Sequence, residues 1–252
     1  MNDDIELLKK RFKELYDKAD HGGYYTFTDF LGLAEQSAFS EVASKMYRGA
    51  ISTFGGAEGA ERVMVRFGNP DEIGYETPYP ISCVAVEPLS QKFADKLTHR
   101  DFLGALLNLG IERSTLGDII IRDNVGYVFA EERIAEFITG ELLRVKRTDV
   151  KAYVVDALPE GELYKTEQKR IQVQSERLDA VVAKVFSLSR DDAQTLVKRS
   201  LVFVNGKETV SSSYPPKEGD RISVRGHGRF IYKSFDSTSR KGKLNAVVEV
   251  YV

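Results

Sequence analysis

The spacing of hydrophobic and polar residues predicts the first helices of the chain. Near the N-terminus, apolar residues recur at steps of three and four, as they do on one face of an amphipathic helix. These residues are Ile5, Leu8, Phe12 and Leu15. A second helix is predicted to begin at Thr28, whose hydroxyl can cap the first turn, and to continue through Leu33 and Ala34. With a strand-like run at Val63–Phe67, these patterns predict a mainly helical domain over residues 1–74.

Apolar runs of two kinds alternate over residues 75–165. Short runs predict strands, and longer runs with helical spacing predict helices. In chain order they are the strand Ile81–Val86, the helix Thr98–Leu109, the strands Leu116–Ile121 and Gly126–Ala130, the helix Glu131–Thr139 and a last strand within Leu142–Val155. The order β-α-β-β-α-β predicts a domain of the ferredoxin-like or RNA-recognition-motif type. A loop is predicted at Pro159–Glu162.

Residues 166–252 predict two short helices followed by a small sheet. The first helix opens at Arg177-Leu178-Asp179, and Ser189 is a suitable N-cap for the second. Asn205-Gly206 stands between two short apolar runs, which is a strong hairpin signal. Alternation over Arg221–Arg225 places the two arginines and Ser223 on one face of a strand and Ile222 and Val224 on the other. The chain as a whole is therefore predicted to be an α+β protein of three small domains.

Charge is distributed unevenly along the chain. The net charge of the 252 residues is −2. Residues 170–252 contain 15 basic and 9 acidic side chains, a net charge of +6, so the preceding residues carry −8. A basic end favours a polyanionic partner such as RNA. A lysine-rich solvated surface would give the same count.

Composition argues against several other classes of protein. The single cysteine, Cys83, rules out a disulfide framework and leaves a cysteine-based metal site unsupported. The start of the chain lacks the basic flank of a secretory signal, and no apolar run is long enough to span a bilayer. Gly55-Gly56 lacks the spacing and the lysine of a nucleotide-binding loop, which makes a tight turn the better interpretation. We therefore expect a cytoplasmic protein without metal, cofactor, nucleotide or membrane contact.

A polar stripe on the second of the two C-terminal helices is the main candidate for RNA contact. Arg190, Gln194 and Lys198 lie at steps of four, so that they can follow a sugar-phosphate backbone. Arg190 in the first turn opposes the helix dipole, whereas a phosphate placed there would meet both the guanidinium and the free N–H groups. The alternative is an ion pair of Arg190 with Asp191, Asp192 or Glu176.

Four motifs in the stretch Arg177–Val224 resemble the RNA-binding domain named after the fourth small-subunit ribosomal protein. They are Arg177-Leu178-Asp179, Ser189-Arg190-x-x-Ala193-x-x-Leu196-Val197, Val202-x-Val204-Asn205-Gly206 and Gly219-Asp220-x-Ile222-x-Val224. The resemblance implies an L-shaped two-helix motif on a small sheet, with RNA-facing roles for Arg177, Arg190, Gln194, Lys198, Asn205 and Lys207. Asn205 can instead serve only the turn. Ser200 departs from the family pattern, which often has glycine at the end of the second helix.

Further residues complete the candidate RNA-binding set. They are the helix cap Ser189 and the strand arginines Arg221 and Arg225. No catalytic residue is assigned.

Motifs in the first two thirds of the chain resemble the bacterial YlmH proteins. They are Gly55-Gly56-x-x-x-Ala60-Glu61-Arg62, His99-Arg100-Asp101-Phe102-Leu103-Gly104 and Gly110-x-Glu112-Arg113-x-x-x-Gly117-Asp118-Ile119. The resemblance implies a helical N-terminal region, an RNA-recognition-motif-like middle domain and a final RNA-binding module. It also implies action on the large ribosomal subunit, with rRNA and tRNA as partners, in ribosome-associated quality control. We expect a monomer.

The alternative function is that of an RNA-modifying enzyme, since this module is often fused to pseudouridine synthases and methyltransferases. His99-Arg100-Asp101 is similar to a kinase catalytic loop, but position 106 holds leucine where that loop needs asparagine. Asp101 is better interpreted as a residue that caps the following helix.

The sequence of the middle domain allows three interpretations. Gly126-Tyr127-Val128-Phe129 lies on the predicted third strand, where such domains carry aromatic residues that stack on bases. Core packing is the alternative for Phe129. An acidic surface that docks proteins is the third interpretation.

Overall fold

The protein consists of two compact units, Met1–Leu163 and Tyr164–Val252. The structure, a computed structural model, describes residues 2–156, 164–238 and 244–251. Both units combine helices with sheets, which confirms the α+β class. The predicted loop Pro159–Glu162 lies outside the described residues, and the domain limits at 74 and 165 stay predictions.

The N-terminal part of the first unit packs helices on a small antiparallel sheet. Its helices are α1 (Asn2–Gly22), α2 (Leu33–Ala43) and α3 (Pro70–Ile73), and its strands are β1 (Thr26–Phe27), β2 (Ile51–Phe54) and β3 (Met64–Phe67). The strand order is β1-β3-β2, and Phe12, Phe39 and Phe67 meet in the core. The predicted helix start at Thr28 is wrong. The Thr28 hydroxyl accepts a hydrogen bond from the Val65 amide at 2.9 Å and so joins that segment to β3, and α2 begins after Gly32.

The middle of the chain has the predicted β-α-β-β-α-β order, except that two strands stand where one was predicted within Leu142–Val155. Its elements are β4 (Ile81–Pro88), α4 (His99–Asn108), β5 (Leu116–Arg122), β6 (Val125–Glu131), α5 (Glu132–Glu141), β7 (Arg144–Val145) and β8 (Thr148–Val154). The antiparallel sheet has the order β5-β6-β4-β8-β7. Phe102 and Leu106 of α4 and Ile138 of α5 are fully buried against one face of the sheet. Helix α5 continues through Gly140 to Glu141, beyond the predicted end at Thr139.

The second unit places two helices on a longer sheet. Its elements are β9 (Thr166–Val173), α6 (Leu178–Val185), α7 (Arg190–Lys198), β10 (Val202–Val204), β11 (Lys207–Glu208), β12 (Arg221–Val224), β13 (Gly228–Thr238) and β14 (Leu244–Tyr251). The order β11-β10-β12-β13-β14-β9 brings β9 to one edge. Ser200 adopts a φ of 58°, so serine here takes the left-handed conformation for which the family often uses glycine.

Two of the segments that resemble YlmH proteins meet inside the first unit. The Arg62 side chain donates to the carbonyls of Phe30 and Leu116, each at 2.8 Å, and to that of Arg113 at 3.1 Å. In return, the Asp118 carboxylate accepts from the amides of Glu61 and Arg62. Because buried polar groups need partners, these bonds hold the N-terminal part against the middle sheet.

Among the helices of the described ranges, none combines the length and the apolar character that crossing a bilayer requires.

Candidate nucleic-acid interface

A buried carboxylate in the first turn of α6 brings together three of the candidate RNA-binding side chains. The Asp179 side chain is 0% exposed. It accepts hydrogen bonds from Nε and Nη2 of Arg177, both at 3.1 Å, and from Nε2 of Gln194 at 2.8 Å. Nε of Arg190 lies 3.5 Å from the same carboxylate. Arg177, Arg190 and Gln194, which lie up to 17 positions apart in the sequence, therefore form one cluster.

The Asp179 carboxylate is held in its charged form. Burial by itself would raise the pKa of Asp179, but the hydrogen bonds from Arg177 and Gln194 and the charge of Arg190 outweigh it, so that the pKa lies below its usual value. The amide of Ala180 also donates to the carboxylate, at 2.9 Å. A charged, fully buried acceptor can orient its donors more strictly than an exposed one, because water does not compete for it.

The two arginines of this cluster keep part of their surface open to solvent. The side chain of Arg177 is 37% exposed and that of Arg190 is 42% exposed. A guanidinium has five N–H donors, so contact with one carboxylate leaves donors that can reach a phosphate. The expected alternative partners of Arg190 were Asp191, Asp192 and Glu176, and the ion pair in the structure is instead with Asp179. The reason is that Asp179 comes from α6, which packs against α7.

Helix α7 presents the predicted polar stripe. Ala193 and Val197 are fully buried, so the row of Arg190, Gln194 and Lys198 lies on a different face. Lys198 is exposed in the last turn. Ser189 is the N-cap residue as predicted, since its hydroxyl oxygen accepts from the Asp192 amide at 3.1 Å and donates to the Asp192 carboxylate at 2.6 Å. This hydroxyl therefore has an internal function.

Asn205 is committed to the hairpin turn. Its φ is 52°, its side-chain amide donates to Asp220 at 2.8 Å, and its side-chain oxygen accepts from the Arg221 amide at 2.9 Å. Of the two roles considered for Asn205, the turn is the one that these bonds support. Lys207 follows the turn on β11 and is exposed.

The strand arginines lie apart from the Asp179 cluster. Ile222 and Val224 are buried in the core beneath α6 and α7, as predicted. Because side chains alternate along a strand, Arg221 faces the other side of the sheet. The guanidinium of Arg225 lies 5.9 Å from the centre of the Phe203 ring. The candidate residues thus form two groups rather than one continuous surface.

Sequence reasoning assigned no organising role to Asp179. The available signal was an acidic residue in a helix whose neighbours Leu178, Ala180, Val181 and Val182 are all apolar. A carboxylate at such a position has to be paired, and Arg177 and the basic residues of α7 were the candidates.

The middle-domain motif residues have structural contacts. The Asp101 carboxylate accepts from the amide and the hydroxyl of Thr98, at 2.8 and 2.7 Å, which confirms its capping role. Arg113 donates to the carbonyls of Leu116 and Gly117, and burial lowers its pKa to about 10. Burial and the nearby Arg113 lower the pKa of His99. Burial raises the pKa of the Cys83 thiol to about 12, so the reactive thiolate is disfavoured.

Two protein-family models match parts of the chain. The model described as "Putative RNA-binding domain in YlmH" matches residues 76–157, and the model of the S4 domain matches residues 176–222. The second range contains the whole Asp179 cluster. The C-terminal unit therefore contains an S4 domain, the class of RNA-binding module that its four motifs resemble.

Similarity to a characterised bacterial protein extends over most of the chain. The ribosome-associated protein quality control protein P2 of Bacillus subtilis strain 168 is 30% identical over 233 residues, which cover 88% of this chain and 86% of that protein. A solved structure, the cell division protein ylmH from Streptococcus pneumoniae, is 23% identical and covers 60% of this chain and 90% of its own, with a TM-score of 0.47. By its match to the B. subtilis protein and its two domains, the chain belongs to the YlmH family.

Replacing Asp179 by asparagine should lower stability in a pH-dependent way. The pKa of Asp179 is lowered in the folded state, so its contribution is fully present above the unfolded pKa of about 3.9 and is lost as the pH falls through the folded value. Near neutral pH we expect Asp179→Asn to cost about 1–3 kcal/mol, the range for hydrogen bonds to charged groups. Urea unfolding followed by circular dichroism, at several pH values, measures this difference.

The control for this experiment is Asp191→Asn, which removes an exposed carboxylate from the first turn of α7. It should change stability by less than about 1 kcal/mol. A stability difference between wild type and Asp179→Asn that stays constant down to about pH 3 would show that folding does not lower the pKa of Asp179.

Proposed function

We propose that this protein binds structured RNA through its C-terminal unit, with Arg177, Arg190 and Gln194 at the centre of the contact. The observation that carries the proposal is the Asp179 carboxylate, which holds these three side chains together while leaving both arginines partly exposed. Phosphate contacts of this kind position a protein on RNA, and base contacts add specificity. Lys198 extends the same row by one helical turn.

The RNA that we propose as the target is ribosomal. The B. subtilis relative is named as a ribosome-associated quality control protein, and its similarity extends over both units. We therefore propose that this chain associates with the large ribosomal subunit, contacts rRNA and tRNA there, and acts in quality control of stalled translation. The basic charge of residues 170–252 supports binding to such a polyanion.

The contacts of the motif residues favour binding over catalysis. Asp101, which had suggested a catalytic loop, uses its carboxylate to cap α4. The raised pKa of Cys83 disfavours a nucleophilic role. In the described part of the chain, no group of three or more His, Cys, Asp and Glu side chains is placed to hold a metal ion.

The substitution Arg190→Ala tests the proposed contact. If Arg190 binds a phosphate, its loss should weaken RNA binding by about 1–3 kcal/mol and reduce the slope of log affinity against log salt by about one unit. Stability should change by less than about 1 kcal/mol, because Arg177 and Gln194 still pair with Asp179. Filter binding of a ribosomal RNA hairpin at several salt concentrations measures both effects.

The matched control is Lys217→Ala, which removes one exposed positive charge from the same unit. An Arg190→Ala variant that binds as tightly as wild type, with an unchanged salt slope, would exclude Arg190 from the RNA surface. Equal losses in both variants would show that only net charge matters.

Cross-linking in cells tests the choice of RNA. The tagged protein, irradiated in growing bacteria, should yield adducts in large-subunit rRNA and tRNA when the attached RNA is sequenced. Substitution of Arg190 should deplete those adducts. Adducts that are confined to mRNA would contradict the ribosomal assignment and leave RNA binding itself intact.

A further inference from the structure

The face of the middle sheet that lies opposite α4 and α5 carries a row of side chains across four strands. The register pairs Ile120 of β5 with Tyr127 of β6, Tyr127 with Ala85 of β4, and Ala85 with Tyr153 of β8. The inward neighbours along these strands are core residues such as Val84 and Val128. Because side chains alternate, the two tyrosines lie on the outer face with the small Ala85 between them.

The N-terminal part of the chain covers one end of this outer face. Phe129, two positions after Tyr127 on β6, is only 1% exposed. A Cβ atom at Gly56 would lie 2.2 Å from Cδ1 of the Phe129 ring, so the backbone of that turn rests on the ring. Gly117 of β5 permits a similarly close approach of Phe30. Of the two aromatic residues that had suggested stacking, Phe129 is therefore occupied by the protein itself.

Tyr127 and Tyr153 lie beyond the covered end, while Ala85 and Ile120 beside them are buried. Tyr153 is 41% exposed, and Tyr127 is partly exposed. Lys151 and Glu87 are neighbours there, with 2.6 Å between Nζ and Oε1, and the Lys151 ammonium lies 5.7 Å from the centre of the Tyr153 ring. The Glu87 carboxylate balances the charge of Lys151, and Arg122, whose charge acts on Tyr127, lies on the same face. Two partly exposed rings can stack on nucleobases, and the nearby arginine suits a polyanionic backbone.

We propose that Tyr127 and Tyr153 form a platform on which unpaired bases of RNA stack. The matching family model describes this domain as RNA-binding and assigns no residue to the contact. Residues 1–169 carry a net charge of −8, so the platform is expected to act on RNA whose backbone the basic C-terminal unit already holds. The proposal rests on the RNA-binding function proposed above and adds the class of nucleotide, unpaired, and the surface that binds it.

A pair of RNA probes separates the platform from the Asp179 cluster. One probe is a blunt ribosomal RNA hairpin, and the other is the same hairpin with a single-stranded tail of about eight uridines. With the full-length protein, the tail should tighten binding by about fivefold or more, the lower end for one stacked base. The substitutions Tyr127→Leu and Tyr153→Leu together should abolish that gain and leave the affinity for the blunt hairpin unchanged.

Variants that keep the aromatic ring test whether stacking causes the tighter binding of the tailed probe. Tyr127→Phe and Tyr153→Phe should retain the gain from the tail, because a phenyl ring stacks and only the hydroxyl is lost. The slope of log affinity against log salt should be the same in all these variants, since no charge is removed. Tyr47→Leu, at a tyrosine of the same unit that is 62% exposed, should also retain the gain.

Photochemical cross-linking to a tail that contains 4-thiouridine identifies the residues of the wild-type protein that contact the tail. Adducts on Tyr127 or Tyr153 would support the platform. The platform would be overturned by any of three results: no gain from the tail in wild type, equal loss in the Phe and Leu variants, or adducts confined to other residues. A protein partner would then be the better candidate for this face. Failure to bind the blunt hairpin would count against the function proposed for the C-terminal unit. In that case cross-linking of the free tail still decides the question of the platform.

Discussion

The burial of the Asp179 carboxylate is the constraint on which the C-terminal unit depends. An unpaired charge with no exposed surface would be strongly destabilising, so the fold must supply donors. Arg177 supplies them from just before α6, and Gln194 and Arg190 supply them from α7. The same bonds that satisfy the carboxylate therefore fix the two helices and the three side chains relative to one another. Stability and the geometry of the proposed RNA contact share a single cause.

In the first unit, the charged group that needs hydrogen-bond partners is the Arg62 guanidinium. Arg62 lies between the N-terminal part and the middle sheet, and its donors are satisfied by backbone carbonyls. Asp118 satisfies two backbone amides from the opposite side. These bonds bring the Gly56 turn onto Phe129, which closes one end of the sheet and leaves Tyr127 and Tyr153 at the other. Two of the motifs that resemble YlmH proteins thus hold the N-terminal part against the middle sheet.

Much of the fold could be predicted because its signals are local. The apolar spacing of α4, the alternation in β12 and the cap at Ser189 each depend on residues a few positions apart. The pairing of β9 with β14 could not be predicted, since it joins residues more than 70 positions apart. The spacing of residues within each strand does not indicate which strand is its partner. The start of α2 was misplaced for a similar reason, because Thr28 bonds to Val65 on another strand.

The candidate site was predicted as a set of residues and not as an arrangement. The stripe on α7 follows from helical spacing, and the alternation of β12 placed Arg221 opposite the core side chains. The division into two groups, and the role of Asp179 in forming one of them, depend on how α6 and α7 pack. Asn205 shows the same limit, since its turn conformation was foreseeable but its bond to Asp220 was not.

The affinity of the folded Asp179→Asn variant for a ribosomal RNA hairpin is the most direct test of this account. The substitution removes a negative charge, so an interface governed by net charge alone would bind RNA more tightly. If the carboxylate instead preorganises Arg177, Arg190 and Gln194, its loss should weaken binding by about tenfold, through the ordering that each side chain then needs. Affinity equal to or tighter than that of wild type would contradict the central role of Asp179.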